Sequence, residues 1–194
     1  MVKKKLPSEL FEKALKDLFS FFQSNRVEYL IIGGIAVSFL GRPRLTQDID
    51  ALIFLDSSLW ERFLKNASQF SFIPRISNAL VFAKRTRIFL LKHAKTDIDV
   101  DISLAALPFE EESMHRKMRV RLGKLSIPLP TPEDLIIMKA VAHRSQDIAD
   151  IESVVLNHPK LDLKRVRKWV REFAKALETP ELIGDLEKIL KKRP

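Results

Sequence analysis

Residues 33–52 read GGIAVSFLGRPRLTQDIDAL, a glycine pair at the end of one apolar run and two aspartates one residue apart at the start of another. The run before the glycines, Tyr29 to Ile32, has the composition of a strand, and Ala36, Val37, Phe39 and Leu40 after them suit a short helix that Gly41 stops. Ile49 to Leu55 is the next expected strand. Side chains alternate across a strand, so Asp48 and Asp50 share one face while Ile49 and Ala51 anchor the other. Two carboxylates held side by side repel; a hard divalent cation between them, Mg²⁺ above all, relieves the repulsion in a phosphate-handling site. Gly33 and Gly34 suit the same site, because glycine admits positive φ and a close ligand, and the amides at a helix start attract anions. Turn and metal together could hold a triphosphate. A glycine pair alone is commonly a plain turn, and a D-x-D alone is a common surface feature. The succession of strand, GG, short helix, R-x-T-x-D-x-D and strand is far more specific.

A transfer reaction run by two metal ions needs a third carboxylate from elsewhere in the chain. The segment TDIDVDIS offers Asp97, Asp99 and Asp101 on one expected strand face, with Ile98, Val100 and Ile102 on the other. Asp101 is the preferred third ligand, with Asp99 next, and the remaining acids are solvated or paired with Arg or Lys. Arg42 and Arg44 read equally as ligands of a triphosphate or an RNA backbone and as loop charge neutralising the carboxylates. Thr46 orients the loop or an Asp. Lys139 interrupts the apolar run LIIMKAVA; it snorkels, pairs with an Asp, or turns its ammonium to an anion. Asp147 and Asp150 are candidate braces for Lys139 or Arg144. The four histidines show no zinc-ligand spacing.

Working outward, Ser8 is an expected N-cap for a helix carrying Leu10, Phe11, Ala14, Leu15, Leu18, Phe19 and Phe22. Ser58 and Glu61 form an expected capping box before Leu59 to Ala67. Leu80–Phe82, Ile88–Leu91 and Ile98–Ser103 are strand candidates, Pro108 opens a helix through Met118, and MRVRLGKLSIPL reads as a hairpin turning at Gly123-Lys124. From Thr131-Pro132 onward the pattern is helical, with further helices at Gln146–Leu156, at Leu163–Leu177 and after Thr179-Pro180. The expected class is α+β: a mixed sheet with flanking helices over residues 1–130, and a helical region over 131–194 packed on it.

Composition agrees. At 194 residues, 46% hydrophobic and 30% charged, the chain is an ordinary globular sequence and neither disordered nor fibrous. Cysteine is absent, which excludes disulfides and thiolate metal sites. No run reaches the ~18 apolar residues of a membrane span and the N-terminus lacks a signal-like apolar segment, so a cytoplasmic protein is expected. The net charge of +9 favours anionic partners and equally fits a basic solvated surface.

The stretches IIGGIAVSFLGRPRLTQDIDALI, IDVDISLAALPFEEE and LPTPEDLIIMKAVAHRSQDIADI, together roughly residues 29–155, resemble the nucleotidyltransferase superfamily of DNA polymerase beta type. Within it they are similar to the stand-alone AbiEii-like and minimal nucleotidyltransferases, which include toxins of toxin-antitoxin systems. Ile35 follows Gly34 where the superfamily often has a Gly-Ser pair, so backbone amides replace a serine hydroxyl, as is common in that branch. The resemblance implies an enzyme that moves an NMP from an NTP, ATP included, to a hydroxyl of RNA or tRNA, a protein or a small molecule. It implies Asp48, Asp50 and Asp101 or Asp99 as the catalytic carboxylates, with two Mg²⁺ ions held by Asp48, Asp50 and Asp101. Gly33, Gly34, Arg44, Thr46 and Lys139 become nucleotide-binding candidates, and an antitoxin protein becomes a candidate partner. The alternative is a nucleotide- or RNA-binding protein on the same scaffold without turnover.

Overall fold

The computed structural model describes residues 9–192. The expected N-cap Ser8 lies outside the described residues. The chain divides into two compact units, one made of the residues up to Ile35 with Leu45–Leu129, the other of Ala36–Arg44 with the residues from Pro130 onward.

The first unit is built on a five-stranded mixed sheet. Helix α1 (Glu9–Ser24) precedes β1 (Glu28–Ile31), and α2 (Gly33–Leu40) begins at the glycine pair before β2 (Asp48–Phe54). Then come α3 (Trp60–Ala67), β3 (Phe72–Pro74), α4 (Ala79–Thr86), β4 (Ile88–His93), β5 (Ile98–Leu104) and α5 (Pro108–His115). The strand order is β1-β2-β5-β4-β3, antiparallel except for the central parallel pair β2 and β5. In β5 every second residue is buried, Ile98, Val100, Ile102 and Leu104, which is the alternation that TDIDVDIS predicts. The aromatic core includes Phe21 of α1, whose ring centroid lies 4.4 Å from that of Phe63 in α3, and Phe63 in turn lies 5.8 Å from Phe89 of β4. Strands β6 (Met118–Leu122) and β7 (Leu125–Leu129) form a separate hairpin, turning at Gly123 with φ +57° as the sequence leads one to expect.

The second unit holds α6 (Pro132–Ala142), α7 (Ser145–Asn157), α8 (Leu163–Ala176) and α9 (Glu181–Lys191). Thr131 caps α6 by accepting from the Asp134 amide at 3.2 Å, with Pro132 in the first turn. The end of α2 belongs here: the Asn157 amide donates to Gly41 O at 2.7 Å, and a Cβ on Gly41 would lie 2.3 Å from Ser153 Oγ.

Four local expectations are corrected. Leu80–Phe82 is not a strand but the middle of α4, where Ala79 and Ala83 are buried at i and i+4 and Val81 is exposed; a short apolar run carries no period of its own. Asp56, not Ser58, supplies the cap: its carboxylate accepts from the Ser58 amide at 2.9 Å at the head of a 3₁₀ turn, and Glu61 pairs with Lys65. Helix α5 ends at His115 and Met118 already opens β6. Asp97 lies in the turn before β5 with φ +59°, its amide donating to His93 O at 2.9 Å, so it does not share the strand face of Asp99 and Asp101. Strand β3 was not among the expected elements; three residues with Pro74 at the end carry too little alternation to read.

Candidate active site

Parallel pairing places Asp48 opposite Asp99 and Asp50 opposite Asp101. Register partners on adjacent strands point to the same face, so two sequence segments about fifty residues apart converge on one patch of four carboxylates. Each strand has its other face buried, which fixes this register: a slip of one residue would drive the acids into the core.

Gly33 closes one side of the patch. It adopts φ +58°, and a Cβ there would lie 1.8 Å from Asp50 Oδ2, so only glycine fits. The Ile32 amide donates to Asp50 O at 2.9 Å and ties the β1–α2 turn to β2. Gly34 is buried in the first turn of α2. Thr46 donates its hydroxyl to Asp48 Oδ1 at 2.7 Å, the Asp-orienting contact among the roles open to it from sequence.

Arg75, which the sequence does not single out, lies just past β3 with its amide on Leu90 O at 2.9 Å. Its guanidinium donates to Asp99 Oδ2 at 2.8 Å and to Asp101 Oδ1. Lys92, register partner of Asp99 on β4, reaches Asp97 at 2.8 Å and Asp99 at 3.4 Å. A signal for both was available in principle: clustered acids require nearby cations. Which cation arrives depends on pairing between distant segments, which no local pattern displays. Burial pushes the Asp101 carboxyl above its ordinary value, Arg75 opposes that shift, and the neighbouring charges of Asp48 and Asp99 add to it.

The donor set is chemically suited to a hard divalent cation: oxygen ligands on a rigid sheet, with a side-chain-free position beside Asp50. Among the described residues no three acidic or histidine side chains already surround a common point, and Asp99 and Asp101 both pair with Arg75.

The remaining candidates lie in the second unit. Lys139 is buried, with its ammonium 2.7 Å from Asp147 and 2.8 Å from Asp150. Arg44 lies 3.3 Å from Asp150, and Arg144 donates to Asp147 at 2.8 Å. These residues form one ion network around the buried Lys139, Asp147 and Asp150, in which the two carboxylates brace the basic groups as their spacing allows. Burial acts to raise the Asp147 carboxyl, yet the hydrogen bonds from Arg144 and Lys139 hold it below its ordinary value.

A family model described as a nucleotidyltransferase of unknown function, DUF6036, matches residues 9–182. The chain belongs to this nucleotidyltransferase family. No curated protein matches it. Solved structures do. An antigenic nucleotidyltransferase-like protein from Paracoccidioides brasiliensis is 17% identical with a TM-score of 0.54, over 97% of this chain and 95% of that one. The antibiotic-resistance factor ANT(2'')-Ia is 15% identical with a TM-score of 0.57, over 89% of this chain and 93% of that one. The lincosamide antibiotic adenylyltransferase LnuA is 17% identical with a TM-score of 0.51, over 74% of this chain and 95% of that one. At such identities the likeness is one of fold. The family member is thus α+β with a nucleotidyltransferase-like sheet, and among its described residues no helix is long and apolar enough to cross a membrane.

Proposed function

We propose that the protein is a divalent-metal-dependent nucleotidyltransferase that moves an NMP from an NTP to a hydroxyl acceptor. The observation that carries the reading is the in-register pairing of Asp48 and Asp50 with Asp99 and Asp101 beside a glycine that accepts no side chain. The acceptor oxygen attacks the α-phosphorus, the new P–O bond forms as the bond to the β-phosphate bridge breaks, and pyrophosphate leaves with the electron pair. Asp48 and Asp50, with Asp101, would hold Mg²⁺, whose chemical contribution is to neutralise phosphate charge and polarise the α-phosphoryl group. Asp101, or Asp99 beside it, takes the proton of the attacking hydroxyl. Burial and the charges of Asp48 and Asp99 raise the Asp101 carboxyl above its ordinary value, against the guanidinium of Arg75. Gly33 and Gly34 offer backbone amides to the phosphates, and Thr46 fixes the Asp48 rotamer. Kinship to the stand-alone AbiEii-like branch, and with it a toxin restrained by an antitoxin partner, belongs to the same proposal and rests on motif alone.

A second reading is favoured by one contact: Arg75 occupies Asp99 and Asp101 together, which is how a scaffold that binds nucleotide or RNA without turnover would neutralise its acids. Incubation with each α-labelled NTP, Mg²⁺ and tRNA separates the two. The transfer reading expects labelled product and pyrophosphate, both lost in Asp48→Asn with the fold intact. Full activity in that variant would eliminate the carboxylate mechanism, and no product from any NTP would favour the binder.

A further inference from the structure

We infer that the outer face of α8 is a docking surface for an RNA backbone. Lys164, Lys168, Arg171 and Lys175 are spaced by four, three and four residues, which places all four on a single stripe of the helix. All are exposed, whereas Val166, Val170 and Ala174 bury a different face. At the helical rise the stripe is about 16 Å long, with neighbouring cations about 4.5–6 Å apart along the axis.

The other basic residues of α8 are committed elsewhere. Arg165 donates to Asp134 at 2.8 Å, and Arg167 forms a two-pronged pair with Glu187 at 2.7 and 3.0 Å. None of the four stripe residues forms an ion pair among the described residues. Lys168 instead sits 5.3 Å over the Trp169 ring, a contact that orders the stem and leaves the charge available to an anion. Glu172, the acid within α8, stands at the edge of the stripe. Several other basic groups of the chain do meet acids, as at Lys13, Lys65, Lys92, Lys117, Lys139 and Lys192. At the stripe four exposed cations stand together, with Arg171 within electrostatic reach of an acid, Glu187.

Repulsion at this spacing is relieved by a ligand whose own charges recur at a comparable interval. A nucleic acid backbone presents phosphates at an interval of a few ångströms, about 3.4 Å along the axis per strand of a DNA duplex, so an aligned backbone meets all four cations, while a small anion meets one or two. An anionic membrane is the poorer match, because the apolar residues of α8 lie off the stripe, at Val166, Val170 and Ala174 on the buried face and at the half-buried Trp169 and Phe173, so the cationic face has no apolar side chain to insert. RNA is chosen over other polyanions because each ribose carries the hydroxyl that the proposed transfer requires; in that choice the inference rests on the transfer reading.

Fluorescence anisotropy with labelled unfractionated tRNA and with labelled poly(U) tests the surface. The quadruple variant Lys164→Gln, Lys168→Gln, Arg171→Gln, Lys175→Gln should weaken binding at least tenfold, and its slope of log K against log salt should be shallower by about 3, for four lost phosphate contacts. A control variant, Arg119→Gln, Arg121→Gln, Lys124→Gln on the β6–β7 hairpin, should leave both nearly unchanged. If the quadruple variant melts early, the pairs Lys164→Gln/Lys168→Gln and Arg171→Gln/Lys175→Gln carry the test, each taking about half of the slope change. Wild-type affinity in the stripe variants, equal loss in the hairpin variant, or stripe-dependent binding to phosphatidylserine vesicles in place of RNA would each overturn the inference. Asp48→Asn should bind RNA as the wild type does. Stripe-dependent RNA binding without any NTP cleavage would sink the transfer reading alone. Transfer to a small hydroxyl acceptor, with RNA binding indifferent to the stripe, would sink this surface alone.

Discussion

Gly33 lies against the carboxylate of Asp50 so closely that the smallest side chain would overlap it, at 1.8 Å from Oδ2. The turn after β1 and the D-x-D strand are therefore fitted to each other, and the fit is specific to glycine. Gly33→Ala confronts two obstacles, the positive φ and the Asp50 side chain itself. We expect it to cost about 1–3 kcal/mol in urea unfolding, from backbone strain. Nucleotidyl transfer should fall by about 100-fold or more, because Asp50 is pushed out of its position and misplaced groups lose most of the advantage of proximity. A variant with wild-type stability and wild-type transfer would show that the turn is not fitted to Asp50.

Asp48 and Asp50 stand on one face with Asp99 and Asp101, so removing a charge there relieves repulsion while removing a ligand. Asp48→Asn is accordingly expected to reduce transfer by about 100-fold or more, since the metal it would hold supplies several kcal/mol of charge stabilisation, while leaving the melting temperature equal or higher. A lower melting temperature with retained transfer would mean that Asp48 serves the fold and not the reaction.

Much of this was legible in the chain. The alternation in DIDALIF and DIDVDIS dictates one acidic and one apolar face for each strand, and the burial of Ile49, Ala51, Val100 and Ile102 follows it. The Gly123 turn and the Thr131 cap are local chemistry and were equally readable. The counter-charges were not. Arg75 reaches Asp99 and Asp101 only because β4 lies between its own strand and β5, a consequence of sheet order that sequence spacing does not encode. Lys139 illustrates a different limit: the apolar run around it announces a buried amine, but whether the amine meets an anion of the protein or of a ligand depends on what α7 brings beside α6.

Arg75 offsets the burial of Asp101 and the charges of Asp48 and Asp99. Arg75→Ala should therefore move the Asp101 pKa further above its ordinary value, readable as a carboxyl ¹³C chemical-shift titration of the labelled protein. The linkage has a definite sign. A carboxyl whose folded pKa lies above its unfolded value of 3.8 gives stability that is complete below pH 3.8 and is lost as pH rises through the folded pKa. The variant should thus lose more stability relative to wild type at neutral pH than in acid. A downward shift of Asp101 would mean that Arg75 does not act as its counter-ion.

Lys139 sits between Asp147 and Asp150, all three nearly closed to solvent. Removing one member of a buried ion network leaves the others uncompensated, which typically costs about 3–5 kcal/mol. Arg144 still holds Asp147 and Arg44 still holds Asp150, so Lys139→Met is expected near the lower end of that range in urea unfolding. Part of the loss should return in Lys139→Met/Asp147→Asn, where a carboxylate that has lost its amine is also removed. Asp147 has a depressed folded pKa, so its contribution is present above the unfolded value of 3.8 and disappears as pH falls through the folded one. Without Lys139 that folded pKa rises, and the acid loss of stability attributable to Asp147 becomes smaller than in the wild type. Unfolding free energies measured from neutral pH down to about pH 3 should therefore converge between the two proteins as acid is added. Parallel curves would show that the amine contributes by packing and not by charge.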